Sequence, residues 1–229
     1  MRNSVNKIDN TVKLIGDVKL GTHNVILPFT VLIGPLEIGD NNIIGPHVVI
    51  GTLGADTRNP RYDDSKSVIK IGDNNIIREF SAIQKSCYKD ITLIGNDIYV
   101  MQGVNISHDV IIQDKSVLTA SVALAGIVTV LEGAYIAMGI TISQRCVIGQ
   151  YSIVGQGSAV VKNIKPFSKY IPGKPLSVNK YAIEKYGFQK FENEISDYIF
   201  LNKKPVSTTI LSIINLFDKL HLESEKGLY

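Results

Sequence analysis

The chain has 229 residues, 45% of them hydrophobic and 20% charged, with a formal net charge of +3. That length suits one extended domain with an appendage, and so small a charge argues against nucleic acid or an anionic membrane as a partner. No stretch approaches the ~20 apolar residues that span a bilayer, and the opening MRNSVNKIDNTVKL lacks the apolar core of a signal peptide, so a cytoplasmic protein is expected.

From Ile8 onward, aliphatic residues recur at every sixth position: Ile8, Leu14, Leu20, Ile26, Leu32, Ile38, Ile44 and Ile50. The spacing returns at Ile71, Ile77 and Ile83, then runs unbroken from Ile94 to Val160. Six is neither the 3.6-residue period of an amphipathic helix nor the alternation of a lone strand; it is the period of a hexapeptide β-helix. A triangular coil has three flat sides, each presenting an inward aliphatic residue, and stacked coils turn these into buried columns. The GDNN segments at 39–42 and 72–75 suit corners that need positive φ. Residues 1–165 are therefore read as a parallel β-helix.

Two segments break the register, GTLGADTRNPRYDDSKSVIK at 51–70 and QKSCYKDITL at 84–93. Both are polar and turn-rich and read as loops leaving the coil, where function often resides. Past Ile164 the prolines and glycine of KPFSKYIPGKP stop the period. Residues 166–229 form a mainly helical extension, with helices predicted at Leu176–Tyr186, at Lys190–Leu201 and after an N-cap at Ser207. These helices are expected to cover the open end of the solenoid or to pack on a neighbouring subunit.

The two cysteines, Cys87 and Cys146, have no CxxC spacing, so neither a disulfide framework nor a metal site is expected. Of the four histidines, His108 lies two positions after the column residue Ile106 and is followed at once by Asp109. A carboxylate beside an imidazole can fix its tautomer and raise its basicity, as proton abstraction near neutral pH requires.

The stretch from Asp97 to Phe188, with its HD pair in NISHDV and LAG at 124–126, resembles the UDP-N-acetylglucosamine O-acyltransferases of lipid A biosynthesis. The resemblance implies a left-handed β-helix and a homotrimer. It implies His108 as general base toward a sugar hydroxyl or amine attacking a thioester, Asp109 as its orienting group, and the Gly126 N–H as oxyanion donor. It also places Asp56 and Arg58 at the nucleoside, Gln144 near the sugar, Asn179 in the passage to the tail, and Lys185 near phosphate or donor contacts. Asn105, Ile127 and Ser143 replace family histidines, Asn105 and Ile127 at the sugar pocket, which implies a different acceptor. Gln156 falls on the family's acyl-length ruler, where an amide would obstruct an apolar channel, so a short acyl group, acetyl or hydroxybutyryl, is expected.

The function expected is thus transfer of a short acyl group to a nucleotide-linked sugar, with acyl-CoA or acyl carrier protein as co-substrate and no permanently bound cofactor. YIPGKP resembles the coil exit of hexapeptide acetyltransferases and favours coenzyme A. Two other readings of this function are the acyl-carrier-dependent UDP-N-acetylglucosamine O-acyltransferase proper and a non-catalytic scaffold. A γ-carbonic-anhydrase-type hydratase needs about three histidine ligands, and no histidine lies in the hexads neighbouring His108.

Overall fold

A computed structural model describes residues 5–56, 67–157 and 159–229. Strands of two to four residues stack into three parallel sheets that form the faces of a left-handed prism. Face A runs from Lys7–Ile8 to Ser168–Tyr170 and ends on one antiparallel strand, Ser177–Val178. Face B runs from Lys13–Ile15 to Ala159–Val160, and face C from Val18–Leu20 to Val147–Ile148. Every sixth-residue aliphatic named from the sequence sits on one of these faces, paired with its counterpart one coil away, as Ile26 with Ile44 and Ile106 with Leu124.

The inward residues fuse into one continuous core. The first coil is an exception, since Ile8 and Leu14 are 42% and 48% exposed. No described coil stacks beneath them, so the column positions there lack one wall.

At the corner between faces C and A, the buried Asn24, Asn42 and Asn75 form an amide ladder. Each side-chain oxygen accepts the backbone N–H of the next coil (Asn42, Asn75, Ile98), while each NH₂ donates to a glycine carbonyl. The polar core positions are thereby satisfied. The other asparagine of each GDNN segment, Asn41 or Asn74, takes the positive φ its corner requires.

Coil-to-coil steps are 18 residues along most of the prism, as from Ile94 to Ile112. The step widens to 33 from Ile38 to Ile71 and to 23 from Ile71 to Ile94. In both cases the extra residues lie between a face-B strand and the following face-C strand. Both loops therefore leave from the B/C corner, in consecutive coils.

The helices depart from expectation at their ends. The first, α1, spans only Lys180–Lys185, because Ser177–Val178 pairs with Ser168–Lys169 as a strand. The second, α2, spans Glu192–Leu201 and the third, α3, Thr208–Ser224. Ser207 occupies the N-cap position of α3 without a side-chain capping bond; the Glu194 carboxylate accepts its backbone N–H instead, and that contact holds the carboxyl below its ordinary range.

The helices lie against the side of the prism rather than over its end. Phe217 packs on Leu131 and Val147 of face C, and Ile210 and Ile214 join Tyr151 and Phe167 at the C/A corner. Lys165, buried at the last coil, donates to the carbonyls of Tyr198 and Ile199 and to Asn202 Oδ1, and so fastens the C-terminal end of α2 to the coil. Burial pushes this ammonium's pKa down. Tyr229 packs against the core at this end: its ring lies tilted against that of Tyr170, with centroids 4.2 Å apart, and its N–H donates to the Asn163 carbonyl.

The fully buried Ile106 tests the column directly. Ile106→Ala is expected to lower unfolding free energy by ~2–5 kcal/mol, and Ile106→Val by ~0.5–1.5 kcal/mol, read from denaturant midpoints at fixed protein concentration.

Candidate active site

The 18-residue step places His108, Gly126 and Gln144 in one column at the B/C corner, in three successive coils. Each follows a face-B strand by two residues, so all three project from the same edge of the prism. His108 is 3% exposed and Asp109 1%. Asp109 adopts a left-handed φ of 61°, a conformation that aspartate tolerates better than most residues. His108 Nδ1 lies 2.7 Å from Asp109 Oδ2.

The Asp109 carboxylate also accepts the N–H groups of Cys87 at 3.0 Å, Tyr88 at 3.1 Å and Lys89 at 2.6 Å, all from the second loop. Its own N–H donates to Thr92 Oγ1. Surrounded by donors, the carboxylate acts as an acceptor toward the ring as well, which puts the proton on Nδ1 and leaves the Nε2 lone pair free. Nε2 has no hydrogen-bond partner among the described residues.

Two glycines let the chain close on the ring. A Cβ at Gly126 would collide with His108 Cε1 and Nε2, and one at Gly54 would collide with Cys87 Sγ and lie 2.7 Å from His108 Cβ. Neither position has a positive φ, so it is close approach that excludes a side chain at both. The Tyr88 ring meets the imidazole edge-on at 5.7 Å, and its hydroxyl donates to the Asp56 carboxylate. Ala55 N donates to Gln84 Oε1, a second tie between the two loops.

His108 lies in an open cleft of about 430 Å³ lined also by Ala55, Asp56, Ser107, Ala125, Gly126 and Gln144. A neighbouring trough of about 450 Å³ runs along face B and carries Asn105 and Ser143. Five residues anticipated from the sequence, Asp56, His108, Asp109, Gly126 and Gln144, therefore meet in one place, with Asn105 beside them.

Others do not join them within the chain. Arg58 lies outside the described residues. Ile127 borders a small cavity on the face-C side of the corner, with Lys89 and Arg145. Asn179 caps α1, accepting from Ala182 N while donating to the Tyr151 carbonyl, and lines a separate cavity on face A with Lys185. Gln156 is exposed at the A/B corner, between two and three coils beyond His108. Sequence reading missed Gly54, Cys87 and Tyr88. Counting in steps of 18 assigns both insertions to the corner that carries His108, but it does not say which of their residues reach the ring.

A β-helix of six-residue repeats with a shielded imidazole–carboxylate pair at one corner defines the class of hexapeptide transferases. Residues 17–52 match the family model described as bacterial transferase hexapeptide (six repeats). The chain is 34% identical over 194 residues to an acyl-(acyl-carrier-protein)–UDP-N-acetylglucosamine O-acyltransferase of Stutzerimonas stutzeri, covering 79% of this chain and 75% of the relative. It is 30% identical over 144 residues to one from Aliivibrio fischeri, covering 61% and 55%. Of several such relatives the chain thus spans little more than half the length. The crystal structure of a UDP-N-acetylglucosamine acyltransferase from Bacteroides fragilis superposes over 100% of both chains with a TM-score of 0.79 at 22% identity, which speaks to the fold. The chain belongs to the acyl-(acyl-carrier-protein)–UDP-N-acetylglucosamine O-acyltransferase family.

The loop amides at Asp109 can be tested without substrate. Asp109→Ala is expected to speed hydrogen exchange at Cys87, Tyr88 and Lys89 by about tenfold or more, since each bond to a charged group contributes ~1.5–3 kcal/mol. Unchanged exchange there would mean that the loop is held by other contacts.

Proposed function

We propose that the protein transfers an acyl group from a carrier-linked thioester to a hydroxyl or amine of a nucleotide-linked amino sugar, in the cytoplasm. The observation that carries the reading is the His108–Asp109 pair, with Nε2 left free beside the Gly126 backbone. His108 Nε2 takes the proton of the acceptor as its oxygen or nitrogen attacks the thioester carbonyl. Asp109 keeps the ring in the reactive tautomer and steadies the imidazolium that forms. The Gly126 N–H, which makes no hydrogen bond to the described residues, donates to the developing oxyanion. Asp56 and Gln144 border the acceptor's cleft.

Acyl carrier protein is favoured over coenzyme A as donor, because the relatives are named for the carrier-linked substrate. We read the acyl group as longer than the acetyl or hydroxybutyryl expected from Gln156. Gln156 stands between two and three strand spacings, ~13 Å, along the axis from His108, too far for its side chain to single out a two- or four-carbon group. A stop at that height accommodates a longer chain lying in the small-residue trough of face B, beside Ala123 and Thr141.

The same reading includes a homotrimer. Outward positions of face A carry Ile43, Ile76, Tyr99, Val117, Tyr135 and Ile153, and Ile76 and Tyr135 are 37% and 40% exposed. An aliphatic and aromatic sheet face of this kind requires a partner. The cavity holding Asn179 and Lys185 opens on it, beside Val117, Tyr135 and Ile153. Packing face A of one chain against the B/C corner of the next brings those two residues to the His108 cleft, and cyclic closure completes the ring.

His108→Ala is expected to lower turnover at least ~10²-fold, measured as thiol release from acyl carrier protein with UDP-N-acetylglucosamine and other UDP- and dTDP-linked amino sugars. Near-normal turnover removes the imidazole from the chemistry. Tyr135→Asp is expected to give inactive monomers with intact far-UV circular dichroism; active monomers in sedimentation would rule out the shared cleft.

A further inference from the structure

Cys87 has no part in the reaction above, yet it reaches the centre of the site. Its Sγ, a ring nitrogen of His108 and a carboxylate oxygen of Asp109 all lie within 4.8 Å of one another. Cys87 comes from the second loop, His108 and Asp109 from the regular corner of the next coil, and the Cys87 amide is bonded to Asp109. Thiolate, imidazole and carboxylate are together a donor set for zinc, with bonds of ~2.0–2.3 Å that small χ adjustments bring within reach.

The surroundings are those of a metal site. The Tyr88 and Lys89 amides grip the carboxylate as outer partners that fix a ligand's orientation. Gly54 packs against both Cys87 and His108 and keeps the thiol close to the ring. The second carboxylate near the cluster, Asp56, adds negative charge on the cleft side, and the cleft leaves a fourth coordination position open.

We infer that Cys87, His108 and Asp109 form a binding site for a thiophilic divalent cation such as Zn²⁺, and that its occupancy switches the enzyme off. On binding, the thiol releases its proton to solvent and the sulfur bonds the metal as thiolate. Coordination at Nε2 consumes the lone pair that would accept the substrate's proton. Coordination at Nδ1 displaces the Asp109 contact and leaves the remaining proton on Nε2. Either way the base is lost.

Cation binding is independent of the proposed acyl transfer, whereas the inhibition rests on it, and two readouts separate them. Titrating the full chain with Co²⁺ is expected to produce a saturable thiolate-to-cobalt charge-transfer absorption at one equivalent, displaced by Zn²⁺. Cys87→Ser should abolish that band and weaken Zn²⁺ binding by at least about tenfold, while Cys146→Ala, deep in the prism core, keeps both. No band, or a band surviving in Cys87→Ser, overturns the site. In the thiol-release assay Zn²⁺ should inhibit the wild type, with recovery on EDTA, and inhibit Cys87→Ser at least about tenfold less potently. A Cys87-dependent band with turnover indifferent to Zn²⁺ overturns the switch and the assignment of His108 as base, and leaves the cation site standing.

Discussion

The structure depends on one constraint: parallel coils must stack in register so that an aliphatic residue always meets its counterpart one strand spacing away. A slip of one residue would turn every core side chain outward, so the chain can add residues only where it turns. Both of its additions occur at the B/C corner, in consecutive coils, and the next coil carries His108 there. The site follows from that register. Loops leaving one edge of a rigid prism lie over the same edge one spacing higher, and the second loop thus supplies the amides that meet Asp109.

Asp109 links scaffold and chemistry. Its left-handed backbone is a corner conformation repeated around the prism by His47, Lys115, Ser121 and others, so the geometry belongs to the fold. At this corner the side chain is held by three consecutive amides and presents an oxygen to the ring of the residue before it. An imidazole fixed by its immediate neighbour needs little further positioning. What the remaining surroundings contribute is shielding, by Tyr88 above the ring and the two glycines against it.

The six-residue period made the prism legible because one residue type, a branched aliphatic, answers one physical demand at every repeat. The His–Asp pair was legible because the two residues are adjacent in sequence and stand at a fixed offset from the column residue Ile106. Tyr88 and Cys87 were not, since their place depends on where an irregular loop folds back, and a period carries no information about residues that leave it. The helical ends were misplaced for a related reason: Leu176 and Val178 fit a helical stripe, but pairing with the last strand of face A takes Ser177 and Val178 first. The acyl length was not legible from Gln156 alone, since one side chain gives the place of a stop but not the path a chain takes to reach it.

A prism with three packed faces cannot bend one corner toward another, and this makes the separation of its polar groups informative. His108 and Gln144 stand at the B/C corner; Asn179 and Lys185 lie beyond the C/A corner, on a cavity facing outward from face A. No motion of one chain short of unfolding brings them together, because the core between them is filled. Either the second group has no part in the reaction, or another copy carries it to the first. The apolar surface of face A, exposed along several coils, is why the proposed function takes the second alternative, under which assembly and activity are a single property of the chain.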